Sequence, residues 1–179
     1  MGRSTVREAF GLRVDATPPI PGAIAPHGSR RPLVRIVDAS DVGDEAQAAE
    51  LLWSTVIDGE HVRVTRDPDR GFSVTFGRHG AFVISRDGRT IACAPAANAD
   101  RVRWRRFLLD TVLWCAALLH GHVILHAGAV ASDQGALAIV APSGGGKSSL
   151  VAELVRRGRR LITDDVLVVT TDDVPLAHP

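Results

Sequence analysis

Lysine is almost absent from this chain of 179 residues. Lys147 is the only lysine, and the other 20 of the 21 basic residues are arginine. The planar guanidinium of arginine does not fit a narrow space between phosphate groups, whereas the compact ammonium of lysine does. The position of the single lysine therefore indicates where a small, mobile positive charge is needed.

Cysteine and long apolar runs are also scarce. The two cysteines, Cys93 and Cys115, provide no disulfide framework and fit a reducing cytoplasm. The most apolar stretch, 107–119, contains Asp110 and is too short to cross a bilayer. The N-terminus has charged residues where a secretory signal would have an apolar segment. We therefore predict a cytoplasmic protein without a membrane partner.

The arginines do not predict nucleic-acid binding. Four of them cluster near the start of a predicted helix, at Arg101, Arg103, Arg105 and Arg106. The formal net charge is only +1, and no aromatic residues alternate with these arginines to form a stacking surface for bases. A solvated helix start explains the cluster.

The segment around Lys147 fits a phosphate-binding loop. Residues 141–148 read APSGGGKS, with Ala141 at the first glycine position of the pattern. Glycines let backbone N–H groups converge on phosphate oxygens, the lysine bridges the β- and γ-phosphates, and the Ser148 hydroxyl binds Mg²⁺. The flanks fit as well, because an apolar run at 135–141 predicts a strand and 148–157 predicts a helix. The predicted phosphate-binding residues are Pro142, Ser143, Gly144, Gly145, Gly146, Lys147, Ser148 and Ser149.

Two further features lie on either side of this loop. Asp164 and Asp165 follow a short apolar segment, and paired carboxylates near such a loop can bind Mg²⁺ and accept a proton from an attacking hydroxyl. Upstream, His126 ends an apolar run of strand length. The histidine could instead be an ordinary core residue, and the aspartates could be a solvated strand end.

The stretch from His126 to Asp165 resembles the catalytic core of HPr kinase/phosphorylase and of HPr-kinase-like proteins. The resemblance rests on three separated elements at the family's spacing: His126, the loop that ends at Ser148, and Asp164-Asp165 after the segment 157–161 (RGRRL). It implies an α/β fold, in which a P-loop-containing HPr kinase/PEP carboxykinase-like core follows a small β-rich N-terminal region.

The resemblance also implies residue roles. Lys147 and the loop amides bind the triphosphate of ATP, and Ser148 and Asp165 bind Mg²⁺. Asp164 accepts the proton from a substrate hydroxyl, and His126 tunes the protonation of the aspartate pair. The implied acceptor is a serine of a protein or peptide, and the implied assembly is a homo-oligomer. Whether ATP or GTP is used stays open, because the sequence shows no base-binding pocket.

Two other functions are compatible with the same motifs. The resemblance implies a domain that continues beyond Pro179, so the chain is interpreted as truncated or as a short member. That early end favours a nucleotide-binding regulatory or assembly module with incomplete catalysis. A nucleotide hydrolase is a third hypothesis, although no water-orienting segment is evident.

The sequence predicts three regions: an irregular leader at 1–32, an accessory β-rich region at 33–97 and the kinase core at 98–179. Hydrophobic alternation predicts strands at 33–37, 61–65, 72–76 and 81–85. Helices are predicted at 44–55 and 98–119, and a turn at 170–173. The second helix is predicted to pack against the sheet behind the loop through six apolar residues: Trp104, Phe107, Leu108, Val112, Leu118 and Leu119.

Overall fold

A computed structural model of the chain describes residues 5–16, 31–39, 49–171 and 174–179. Strands take 49% of these residues and helices 21%, and the largest sheet has eight strands of mixed direction. The predicted α/β fold class is therefore wrong. The physical reason is that the strand–loop–helix pattern covers one short segment, whereas strands of a mixed sheet and of two smaller sheets make up about half of the described residues.

The chain divides into two compact units. One consists of Met1–Glu8 and Leu12–His120, and the other of Ala9–Gly11 and Gly121–Pro179. The division at Gly121 differs from the functional boundary predicted near residues 95–100. It assigns the long helical segment to the first unit and the glycine-rich loop to the second.

One mixed sheet organises the N-terminal half of the chain. Its eight strands are β1 (Thr5–Ala9), β2 (Leu12–Ala16), β3 (Leu33–Asp38), β4 (Glu50–Ile57), β5 (Glu60–Asp67), β6 (Gly71–Phe76), β7 (Gly80–Ile84) and β8 (Thr90–Pro95). The spatial order is β1-β2-β3-β8-β7-β6-β5-β4. Strands β4 to β8 form an antiparallel meander, and β3 lies parallel to both β2 and β8. The four strands predicted between residues 33 and 85 are confirmed.

A helical segment covers this sheet. It consists of α1 (Arg101–Phe107), a π-helical turn (Leu108–Val112) and α2 (Leu113–Leu119). The rings of Trp104 and Phe82 stack with their centroids 3.8 Å apart, and those of Phe107 and Phe76 at 4.1 Å. These contacts lie within the first unit, whereas the sequence predicts packing of this helix against the sheet behind the glycine-rich loop. The aromatic residues of β6 and β7 are its partners, and the predicted core residues Leu118 and Leu119 are exposed.

Two predictions near the N-terminus also differ from the structure. The second half of the predicted helix 44–55 is part of β4, which pairs with β5 from Glu50 to Ile57. Pairing with a strong neighbouring strand overrides the helical propensity of this segment. The predicted irregular leader contains strands β1 and β2. Residues 40–48 and most of 17–32 lie outside the described residues, as do Asp172 and Asp173 of the predicted turn.

The C-terminal unit contains two three-stranded sheets and one helix. Its strands are β9 (Val123–His126), β10 (Gly128–Ser132), β11 (Gly135–Ile139), β12 (Leu161–Thr163), β13 (Val166–Thr170) and β14 (Leu176–His178), and its helix is α3 (Lys147–Arg156). The sheet orders are β11-β10-β12 and β14-β13-β9. Ala127, Ala129 and Leu167 form a small buried cluster. Strand β11 and helix α3 confirm the elements predicted on either side of the loop.

None of the helices in the described ranges is long and apolar enough to cross a membrane.

Candidate functional site

The loop between β11 and α3 has a backbone that requires glycine. Gly144 and Gly146 have φ angles of +76° and +81°, in the left-handed region that side chains disfavour. At Gly145, a Cβ would lie 2.9 Å from the carbonyl oxygen of Pro142, which accepts a hydrogen bond from the Gly145 N–H. The loop therefore turns tightly and leads directly into the first turn of α3.

The loop surface is open to solvent. Residues 142–146, Ser148 and Ser149 are exposed, whereas the Lys147 side chain is only 10% exposed. The N-terminus of a helix presents unpaired N–H groups and a partial positive charge, which favour an anion. The predicted phosphate-binding residues other than Lys147 thus form one accessible surface at the start of α3.

Lys147 connects this loop to the aspartate pair. Its Nζ donates a hydrogen bond to the backbone oxygen of Asp164 at 3.1 Å and lies 3.8 Å from Oδ1 of Asp165. The two aspartates form the bend between β12 and β13. One ammonium group therefore lies between the end of β12 and the glycine-rich loop.

His126 lies on the same side of the site as Asp165. Its Nδ1 is 3.1 Å from Oδ1 of Asp165, and both side chains are about two-thirds exposed. The sheet register explains this contact, because His126 at the end of β9 pairs with Val166 at the start of β13. Asp165 directly precedes Val166, so the antiparallel pairing brings the imidazole to its carboxylate.

The two aspartates have different environments. The Asp165 carboxylate contacts both His126 and Lys147, whereas Asp164 contributes its backbone oxygen to the Lys147 contact. The Asp164 side chain is exposed and has no ion pair in the part of the chain that the structure describes. The geometry therefore brings together His126, Lys147 and Asp165, and leaves the carboxylate of Asp164 open to solvent.

Gly128 is a sterically constrained position beside the candidate site that sequence analysis missed. A Cβ added there would overlap Cγ2 of Val151 and would lie 3.6 Å from both the Asp164 oxygen and Cγ of Lys147. Helix α3 packs against β10 at this point. The missing side chain lets the helix that carries Lys147 approach the bend that carries the aspartates. The sequence signal that could have identified it is a glycine at the first position of a strand.

The oxygen atoms of Ser148 and Asp165 are suitable ligands for a Mg²⁺ ion that is also bound by phosphates. No group of three or more histidine, cysteine or acidic residues is arranged for a metal within the described ranges. Mg²⁺ is usually held by one or two carboxylates together with substrate phosphates and waters, so a complete protein cage is not required. The Ser148 hydroxyl and the Asp165 carboxylate are hard oxygen ligands of the required kind.

The histidines at 120, 122 and 126 lie in different surroundings. His120 belongs to the first unit, where its Nε2 lies 3.1 Å from the backbone oxygen of Gly88. In the second unit His122 is buried, whereas His126 is exposed beside Asp165. Only His126 is part of the candidate site.

Comparison with known proteins gives no assignment: no protein-family model, no curated protein and no solved structure matches the chain.

Proposed function

We propose that this chain is a Mg²⁺-dependent kinase that transfers the γ-phosphoryl group of ATP to a serine hydroxyl of a protein or peptide, as the resemblance to HPr kinases implies. One observation carries the proposal. The lysine of a glycine-rich loop lies 3.8 Å from the carboxylate of Asp165, which itself lies 3.1 Å from His126. A phosphate-binding surface and a group of acid–base side chains thus share one site.

In this proposal the triphosphate lies across the N-terminus of α3. The loop N–H groups donate hydrogen bonds to its oxygens, and Lys147 reaches the β- and γ-phosphates from the side of the aspartates. Ser148 and Asp165 would hold the metal ion. When bound, Mg²⁺ neutralises part of the charge on the phosphates. Most of the catalytic effect then comes from positioning and electrostatic stabilisation.

The acceptor hydroxyl approaches from the open side of the site. Asp164 extends an exposed carboxylate from the bend whose backbone oxygen binds Lys147, so it can accept the hydroxyl proton close to the phosphates. His126 orients the neighbouring Asp165 through its 3.1 Å contact. The exposure of these side chains leaves room for an acceptor carried on a large molecule. The two unpaired cysteines fit a reducing cytoplasm as the location.

The test is transfer of phosphate to serine-containing peptides. The chain is incubated with Mg²⁺, ATP labelled at the γ-phosphate and a pool of synthetic peptides, and phosphoserine is identified by mass spectrometry. We expect Asp164→Asn to abolish transfer while nucleotide affinity stays within about threefold of wild type, since removing a catalytic base affects the reaction rather than binding.

The matched control is Asp133→Asn, which removes an exposed carboxylate that pairs with Arg159 in the same unit, at 3.0 Å. It should transfer phosphate at the wild-type rate. Nucleotide binding without transfer to any peptide would reject the kinase proposal and assign a binding module. Release of inorganic phosphate without phosphoserine would assign a hydrolase.

A further inference from the structure

The position of Asp165 has a consequence for the form of nucleotide that the site accepts. Its Oδ1 lies 3.8 Å from Nζ of Lys147, the group that has to face the phosphates. A carboxylate at this distance shares the positive charge of the lysine and repels an anion that approaches it. The Asp165 carboxylate therefore neutralises part of the positive charge with which Lys147 would attract the phosphates.

The same carboxylate is arranged to accept a cation. Both of its side-chain contacts, with Lys147 and with His126, are made through Oδ1. The side chain is 68% exposed, so a metal ion from solvent can reach the carboxylate. A divalent cation carried by the nucleotide would turn the repulsion between Asp165 and the phosphates into an attraction through the metal.

The backbone contact of Lys147 keeps the ammonium close to Asp165. The Asp164 oxygen accepts its hydrogen bond at 3.1 Å, and only 10% of the lysine side chain is exposed. A long, freely rotating lysine could move away from the carboxylate, but a lysine held at this oxygen cannot do so without losing the bond. The electrostatic effect of Asp165 is thus transmitted to the phosphate-binding surface.

We propose that Asp165 makes the site selective for the metal complex of a nucleoside triphosphate over the metal-free form. This inference rests on the proposed function only in assuming that the loop binds a triphosphate, and it does not require phosphoryl transfer. Asp165 acts in two opposite ways: it weakens binding of the free tetra-anion and strengthens binding of the Mg²⁺ complex.

The experiment is a calorimetric titration of the full chain with a non-hydrolysable ATP analogue, once with excess Mg²⁺ and once with a chelator. For Asp165→Asn we expect the affinity with chelator to rise about fivefold, the upper end for an exposed ion pair, while the affinity with Mg²⁺ falls. The ratio of the two affinities therefore shrinks. Asp133→Asn removes an equal charge elsewhere in the unit and should keep the wild-type ratio.

Three results would overturn the inference. The first is an unchanged affinity of Asp165→Asn in chelator, and the second is an equal loss under both conditions. The third is absence of binding by the folded wild-type chain, which would also reject the proposed function. Metal-selective binding that depends on Asp165, without transfer to serine, would support this inference and reject the kinase. Phosphate transfer to serine, with a metal selectivity that does not depend on Asp165, would support the kinase proposal and reject this inference.

Discussion

At the scale of single residues, the reactivity of the two cysteine thiols reports how far each is shielded from solvent. Cys93 is 3% exposed, and burial raises the pKa of its thiol to about 12, with a smaller contribution from the negative charge of Asp38. Burial also raises the pKa of Cys115. Because the thiolate is the reactive form, both thiols should be inert in the native protein.

We expect a thiol reagent at pH 8 to modify the native chain at least about tenfold more slowly than the chain in denaturant. Stability should also fall as the pH rises above the ordinary thiol pKa of 9.0 toward 12, because the unfolded chain then loses protons that the folded chain keeps. The Cys93→Ala variant should lose most of this alkaline slope. Fast modification of Cys93 without denaturant would contradict its burial.

Gly128 gives a second prediction at this scale. A methyl group there overlaps Cγ2 of Val151, so Gly128→Ala should lower the free energy of unfolding by about 1–3 kcal/mol, as overpacking does. Nucleotide affinity should fall too, because α3 has to move away from β10. Denaturant unfolding and the calorimetric titration measure the two effects.

The double variant Gly128→Ala/Val151→Ala is the control, since the second substitution removes the overlapping methyl group. The nucleotide affinity of the double variant should be higher than that of Gly128→Ala and closer to that of the wild type. Equal affinity of the single variant and wild type would show that the close approach of α3 to β10 has no functional role.

At the scale of elements, local sequence signals were reliable where one signal had no competitor. The strands 61–65, 72–76 and 81–85 were predicted because they alternate and are separated by turns. The loop was predicted because its glycines and lysine have few alternative explanations. The helix predicted at 44–55 was wrong from residue 50 onward because Leu51, Leu52 and Trp53 fit either period, and pairing with β5 decided the outcome.

The start of α1 yields a pH-dependent prediction. The Asp100 carboxylate accepts hydrogen bonds from the N–H groups of Val102 and Arg103, at 2.9 and 3.2 Å. These hydrogen bonds lower the pKa of Asp100 below its ordinary value of 3.8. The bond from Arg103 has the larger effect, and the bond from Val102 comes second. A lowered pKa means that this contribution to stability is present above pH 3.8 and lost as the pH falls through the folded-state pKa.

Asp100→Ala should therefore lower the midpoint of thermal unfolding at pH 7, and the difference from wild type should shrink at the acidic end of the accessible range. Asp100→Asn is the matched variant, because the amide oxygen still caps the helix but does not titrate. A difference for Asp100→Ala that stays constant down to pH 2 would contradict the capping role of the carboxylate.

At the scale of the whole molecule, sequence analysis could not predict which helix covers which sheet. The apolar face of 101–119 predicted burial, but the rings of Phe76 and Phe82 that receive it are identified only by the fold. The α/β class was wrong for a related reason, because one strong motif determined the class of a chain that is mostly strand. In the site, the resemblance to HPr kinases implied that His126, Lys147 and the aspartates belong together, but only the sheet register shows that Asp165 contacts His126.

The edge of the large sheet predicts the solution behaviour of the chain. Strand β4 has one hydrogen-bonded neighbour in the described residues, and Leu51, Trp53 and Val56 are about half exposed. A long apolar edge strand favours pairing between molecules. We expect concentration-dependent self-association in analytical ultracentrifugation, and we expect Val56→Lys to reduce it.

Val102→Lys is the control, since Val102 is 78% exposed and lies in helix α1 rather than in a strand. It should associate as the wild type does. Equal association of all three proteins would show that β4 is not the surface responsible.

The central claim is that Lys147 and its loop bind the phosphates of a nucleoside triphosphate. The most direct measurement is a calorimetric titration of the wild-type chain and of Lys147→Arg with a non-hydrolysable ATP analogue in the presence of Mg²⁺. We predict micromolar binding by wild type and a loss of at least about tenfold for the arginine variant, which keeps the charge but not the compact shape. Equal affinity of the two folded proteins, or no binding by either, would contradict the claim.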